Sequence, residues 1–393
     1  MVVIVGAGIA GAATAFYLTT DYRYTNNNDR IILIDAVGPA AAASGNAGAF
    51  LSEAWGDGTK TQELHQSSFH LHESLAQELG LESFQYVANV HRNVDVESLK
   101  NDGDIFASNS NLEGKAALVD PCELTTSMIG RMIEHGGQLQ IGSVDDIIMD
   151  GGYATEISFD DGESLSIQPE EPLVIAMGPW SSRLEDWIQQ PVPVEGVSST
   201  FLQWDNGQGL LQQNRDTSAI FCKEDSNGCH LEIFQRPARK KRSLYVSGCG
   251  GSESINPASF RSPDRPHPIR NPPKPNISRS QAALSSLNNI GNNESSICDP
   301  TKIGACIRPV TPDGLPIVGK LNRSKNMYLV TGGGPWGISW GPIMGKVMAA
   351  ILTEEDPPIR RLSQLSPERY NTLVYKTLMD NRGGGGATNN KAT

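Results

Sequence analysis

The chain has 393 residues, 38% hydrophobic and 19% charged, with 44 acidic against 32 Lys and Arg side chains and a formal net charge of −12. That length accommodates two or three domains with a sizeable core, and the acidic balance excludes a general nucleic-acid binder. No apolar stretch reaches the ~20 residues that cross a bilayer, the first strand-like run begins at Val2 without room for a signal peptide, and the six cysteines form no CxxC pairs. A disulfide framework, a metal site and a secretory route are therefore not expected, and the expected location is cytoplasmic.

Residues 2–11 form an apolar strand-type run that breaks into Gly6-x-Gly8-x-x-Gly11 and continues as an alanine-rich helical stretch. Gly6 permits a tight strand-to-helix turn, Gly8 lets the backbone approach a pyrophosphate, and Gly11 lets the helix sit on its strand. The phosphates then meet free N–H groups at a helix N-terminus. After a polar excursion at 21–30, expected as a surface loop, a second strand-type run, Ile31–Ile34, ends in Asp35, 24 residues beyond Gly11. An acid there accepts from a ribose 2′-OH and disfavours a 2′-phosphate.

The stretch Ala43–Phe50, with Ser44, Gly45 and Asn46, offers small residues and backbone donors where a long cofactor would run. Glu63–Leu79 has a spacing nearer helix than strand and puts His65, Phe69 and His72 on one face, which reads as packing rather than metal ligation. A second helix is expected from Pro121 to Gly137. Short runs with Asp-Gly turns at 150–151 and 161–162 then suggest a small antiparallel meander. Leu173–Gly178 reads as a buried strand returning to the first sheet, and 193–204 as a strand of a larger one.

Arg236–Arg242 is a basic cluster in a solvated hairpin turn, and 253–280 is dense in Pro, Arg, Ser and Asn and expected to be exposed. The block Arg308–Gly319 precedes a strand at Met327–Val330. That strand opens a second glycine-rich strand-to-helix turn, Gly332–Ile338, followed by a helix ending near Leu352. The glycine-rich tail from Arg382 is expected to be disordered.

In this order, the N-terminal glycine turn with its acid, Ser44-Gly45, Ala176-Met177-Gly178-Pro179-Trp180-Ser181 and the Arg308–Gly319 block resemble the D-amino-acid oxidase family of FAD-dependent oxidoreductases. That family includes glycine and sarcosine oxidases. The resemblance runs from Val2 to about Leu352. Trp55–Gly58, Ser67–His72 and Trp336-Gly337-Ile338 are similar to a eukaryotic branch. The resemblance implies an α/β fold: a Rossmann-like FAD-binding domain (GR2-type) with a second substrate domain on a large, mostly antiparallel sheet. The FAD-binding domain would take 1–80, 111–185 and 299–355, and the substrate domain 81–110 and 186–298, with 253–280 an exposed loop. Residues 356–393 would form a C-terminal extension.

By the same resemblance Gly6, Ala7, Gly8, Ile9, Ala10 and Gly11 would hold the pyrophosphate of FAD, and Asp35 with Ala36 the adenosine ribose. Ser44, Gly45 and Asn46 would lie along the pyrophosphate and flavin, Val144 at the adenine, and Ala176, Gly178 and Trp180 along the cofactor path. Gly334, Pro335, Trp336, Gly337 and Ile338 would present N–H groups to the flavin N1/O2 edge, where a positive helix end stabilises the reduced ring. Arg308 aligns with the arginine that grips a substrate carboxylate, and Phe50, Tyr245 and Trp336 would line the substrate pocket.

Two departures from the family pattern stand out. Gly332-Gly333 occupies the place of a Gly-His pair, and Cys306, seven residues before Asp313, has the spacing of the flavin-linked cysteine of sarcosine-oxidase relatives. Non-covalent FAD over a buried Cys306 thiol is the expected state, covalent attachment the alternative. The implied reaction is oxidation of the C–N bond of a small amino acid or N-alkyl amino acid by hydride transfer to flavin N5, with oxygen as acceptor and no metal. Two other readings stay open: a flavin dehydrogenase with a protein or quinone acceptor, and a flavin-bearing interaction protein without turnover.

Overall fold

The computed structural model describes residues 1–20, 30–96, 114–205, 218–236, 243–262, 264–267, 269–290 and 299–370. The polar stretch 21–29, the basic residues 237–242 and the tail from 371 lie outside the described residues.

β1 (Val2–Val5) is the centre of a six-stranded sheet, flanked by parallel β2 (Ile31–Asp35) and parallel β11 (Leu173–Ile175). The sheet continues outward on one side with β7 (Gln138–Ile141) and on the other with β19 (Met327–Thr331), both parallel, and is edged by antiparallel β18 (Ile317–Lys320). Strand order therefore reverses at β1, so the chain leaves β1 and β11 in opposite directions and opens a crevice at their carboxyl ends.

Every residue of β1 is buried, as a strand covered on both faces must be. Val2 and Ile4 face the layer of α1 (Ile9–Thr20), α3 (Pro121–Glu134) and α6 (Gly337–Thr353). Val3 and Val5 face the antiparallel meander β8 (Val144–Asp150), β9 (Tyr153–Phe159) and β10 (Ser164–Ser166), with the one-turn helix α4 (Leu184–Ile188) beside it.

The second large sheet runs β16 (Glu253–Ile255), β12 (Glu195–Asp205), β15 (Ser243–Ser247), β14 (Glu232–Arg236), β13 (Ser218–Cys222) and β5 (Asn89–Val94), antiparallel except for β13 with β5. One face packs Leu202, Trp204, Ile233 and Val246 against Ala283 and Leu287 of α5 (Ile277–Ile290). Phe201, Phe234 and Tyr245 on the other face meet Phe50 of β3 (Phe50–Ser52), which forms a small sheet with β6 (Ala116–Leu118) and β4 (Gln85–Tyr86). α2 (Gln62–Glu78) covers β3 and lies against α6.

Two segments differ from the sequence reading. Residues 302–310, expected with the dinucleotide-binding part, form β17, which pairs antiparallel with β12 from Lys302 opposite Gln203 to Val310 opposite Glu195. The reason is the ladder: β12 is eleven residues long, and its whole length on that side is free to pair. Within 253–280, expected as an exposed loop, lie β16, a 3₁₀ turn at Pro257–Phe260 and the start of α5. Phe260 is fully buried there, packed where Gly196 leaves room for its ring, and anchors the polar sequence around it.

Candidate active site

An elongated cavity of about 370 Å³ lies along the carboxyl edge of the first sheet and reaches under the second. At its floor the Gly6 turn is possible only for glycine. Its φ is +112°, and a Cβ would sit 2.7 Å from the carbonyl carbon of Ala176. Of the expected cofactor contacts, Gly6, Gly8, Ile9, Ala10, Asp35, Ala36 and Ser44 line this part, with Val144, Ala176, Gly178 and Trp180 further along and Gly334 to Ile338 at the other end. Ala7, Gly11, Gly45 and Asn46 are not among the lining residues. Ala7 donates its N–H to Asp35 Oδ2 (2.8 Å), and Gly11 and Gly45 press against the backbone at Gly6 and Ala40. Asn46 accepts from Lys302 Nζ (2.8 Å) through Oδ1 and from Tyr245 Oη (2.9 Å) through its carbonyl.

Asp35 is a turn-former as well as a cavity group: its Oδ1 accepts from Val37 N–H (2.9 Å) and Gly38 N–H (2.8 Å). With Ala7 that makes three of a carboxylate's roughly four acceptor sites, so one remains for a ribose hydroxyl. Ser44 Oγ accepts from Ile9 N–H (2.9 Å) in the first turn of α1, which leaves the hydroxyl proton free to donate into the cavity. The carbonyl of Val144 accepts from Arg183 Nη1 (2.8 Å).

α1 and α6 both start at this edge. Gly334 and Gly337 have nothing within 4 Å of where a Cβ would lie, so the turn into α6 faces open cavity. Two positive helix ends thus face one cavity, as a diphosphate beside the first and an electron-rich ring beside the second require. The residues present fit FAD.

Phe50, Tyr245 and Trp336 also line the cavity. Trp55, Phe221 and Phe234 join them, with Phe50 edge-on to Trp55 (5.7 Å) and Phe221 (5.0 Å) and Trp336 tilted 5.3 Å from Trp55. Strand alternation in β13 and β14 was the available signal for Phe221 and Phe234. Tyr245 is deeply buried under the Arg236 guanidinium, 4.4 Å from its ring centre, and burial pushes its phenol well above the ordinary value.

Arg308, near the end of β17, lines the cavity and donates from Nη2 to Ser199 Oγ (2.7 Å) and Ser252 Oγ (2.9 Å). Its Nε is buried without a partner, and among the described residues no carboxylate lies within salt-bridge distance of it. Cys306, two residues earlier, also lines the cavity. Burial raises its thiol pKa, with Arg308 opposing.

Behind the aromatic wall stand His65 and His72. His65 meets Trp336 (4.8 Å) and Trp340 (5.2 Å) edge-on, and His72 Nε2 donates to the carbonyls of Ile338 and Ser339 (both 3.1 Å). Desolvation lowers each pKa to about 4. Unfolded histidine binds its proton near pH 6.5, so stability is full above that value and falls as the pH drops towards 4. Between pH 7 and 5 the wild type should lose about 2 kcal/mol more than His72→Gln, measured by urea unfolding. Equal losses would show that His72 does not titrate this way.

The family profile described as DAO, FAD dependent oxidoreductase, matches residues 1–351, and the chain belongs to that family. It is an FAD-dependent oxidoreductase. A Schizosaccharomyces pombe protein named as an oxidoreductase is 23% identical over 93% of this chain and 97% of its own. In fold the chain is similar to glycine oxidase from Geobacillus kaustophilus (TM-score 0.69, 18% identity, 93% of this chain and 97% of that one). It is likewise similar to L-proline dehydrogenase from P. horikoshii (TM-score 0.68, 15% identity, 94% and 97%). Among the described residues no helix is long and apolar enough to cross a membrane.

Proposed function

We propose that the protein oxidises the C–N bond of a small amino acid or N-alkyl amino acid, with oxygen as the final electron acceptor. The observation that carries this reading is Arg308. It is a guanidinium without a carboxylate partner among the described residues, set in the same cavity as the turn into α6. Two parallel N–H donors suit a carboxylate, and gripping it fixes the substrate's α-carbon relative to the ring. The names of similar folds, glycine oxidase and L-proline dehydrogenase among them, are consistent with an amino-acid substrate.

Bound FAD supplies the hydride acceptor. The chain's own groups orient and dry the reactants: Arg308 holds the carboxylate, the aromatic wall excludes water, and the N-terminus of α6 offsets negative charge at the flavin edge. No side chain is needed as a base if the amine arrives neutral. The test is anaerobic mixing of the purified yellow protein with a panel of amino and N-alkyl amino acids. Bleaching of the flavin band by at least one member is expected, and peroxide on admitting air. A flavin that no member bleaches removes the amino-acid reading, and bleaching without peroxide replaces oxygen by another acceptor.

The proposed FAD is non-covalent. A thiol raised by burial holds little of the thiolate that attack on the ring requires. Acid precipitation should therefore release the flavin into the supernatant; a yellow pellet would make Cys306 the attachment point.

A further inference from the structure

We propose that residues 260–262, 264–267 and 269–271 form a clasp over the AMP half of the cofactor, with the His267 Nε2–H and the Arg265 guanidinium as its nucleotide contacts. The inference rests on the assignment of the cavity to FAD, and no motif in the sequence marks these residues.

His267 and Arg265 line the cavity, although both belong to the connection leaving the second sheet. Two backbone groups settle the state of the imidazole. His267 Nδ1 accepts from Ile269 N–H (3.2 Å) and Arg270 N–H (3.0 Å), so in the neutral ring the proton sits on Nε2. Burial, then Arg270 and Arg265, keep its pKa below the ordinary histidine value and the ring neutral. Nε2 is buried and has no hydrogen-bond partner. A buried donor left unpaired is costly, and an acceptor on a bound nucleotide would remove that cost.

Arg265 carries the same signal in charge. Burial, and then the nearby Arg265, hold the Arg183 guanidinium below its ordinary value, and Arg183 is held to Asp145 (3.6 Å). Arg265 itself has no carboxylate within salt-bridge distance among the described residues. The phosphate on the adenosine side is the anion that suits an unpaired guanidinium facing this space.

The segment is built as a strap. At its root Phe260 packs edge-on to Trp180 (5.7 Å), and Trp180 Nε1 donates to the carbonyl of Pro266 (2.7 Å). His267 and Asn271 exchange backbone hydrogen bonds (2.8 and 3.1 Å), and Asn271 Nδ2 donates to the carbonyl of Asp264 (2.9 Å). At its tip Arg270 reaches Asp160, just after β9, at 2.8 Å. The strap thus crosses from the second sheet to the meander beside Val144. Arg270 is largely exposed at this tip, so the pair is weak.

The test is the affinity of flavin-stripped protein for FAD and for FMN, read by quenching of flavin fluorescence. FMN lacks the adenosine and its phosphate, so it should not feel the strap. His267→Ala and Arg265→Ala should each raise the Kd for FAD about tenfold or more and change that for FMN less than twofold, with the melting temperature of the stripped Arg265→Ala protein unmoved. His267→Gln, whose amide N–H replaces Nε2–H, should restore most of the loss. An unchanged Kd for FAD in both alanine variants, or an equal loss for FMN, would overturn the clasp. Wild-type protein with no affinity for FAD would overturn the cofactor assignment itself, and the clasp with it.

Discussion

Arg308→Ala should lower kcat/KM about 100-fold or more, measured with the amino acid that bleaches the flavin fastest, while FAD stays bound. The guanidinium donates to two serine hydroxyls that keep it pointed into the cavity, and its Nε is buried without a partner. Losing one member of a buried, hydrogen-bonded charge pair costs roughly 2–5 kcal/mol, and about 3 kcal/mol is already a factor of 100. Arg308→Lys keeps the charge but loses the two-pronged geometry, so it should fall between the two. Ser252→Ala and Ser199→Ala remove one orienting acceptor each, and should raise KM several-fold with a smaller effect on kcat. Stopped-flow flavin reduction separates these cases, because it reads capture and hydride transfer without the acceptor step. An Arg308→Ala variant with unchanged kcat/KM would take the carboxylate grip out of the site.

The glycine turn and the acid beside it were legible because their contacts are short-range in sequence or follow from turn chemistry. The Gly6 turn, the start of α1 and Asp35 at the end of β2 form one strand-helix-strand unit, and each residue type there answers a local steric or hydrogen-bonding need. Asn46 and Gly45, expected along the cofactor, show the opposite case, because neither is among the residues lining the cavity. Proximity along the chain to Ser44 does not reveal that Asn46 turns to Lys302 and Tyr245, both about 200 or more residues away. The same limit hid the partner of 302–310: which strand a run pairs with is decided by the edge left open on β12, not by the run itself. Arg265 and His267 were invisible because their stretch reads as solvated by composition. It is fixed instead by one buried ring, Phe260, and one indole, Trp180.

A second large effect is expected far from the chemistry, where α6 lies on α1. A Cβ at Gly345 would come within 2.5 Å of the backbone carbon of Ala13 and 2.6 Å of the amide nitrogen of Thr14, and Gly341 presses on Ile9 one turn earlier. Side-chain flexibility cannot relieve a clash with backbone, so Gly345→Ala must part the helices and should cost about 3 kcal/mol or more, seen as a lower urea midpoint. Gly130, inside α3 with open space around its Cβ position, provides the opposite case. There the same substitution should stabilise by about 0.5–1 kcal/mol through helix propensity alone. The first change should also weaken FAD binding, because α6 starts at Gly337 and Ile338 and α1 at Ile9, just after Gly8, and all four line the cavity. Their separation is set where the glycines let the helices touch. If Gly345→Ala lost stability but kept the Kd for FAD, the two helix ends would be positioned independently of that contact.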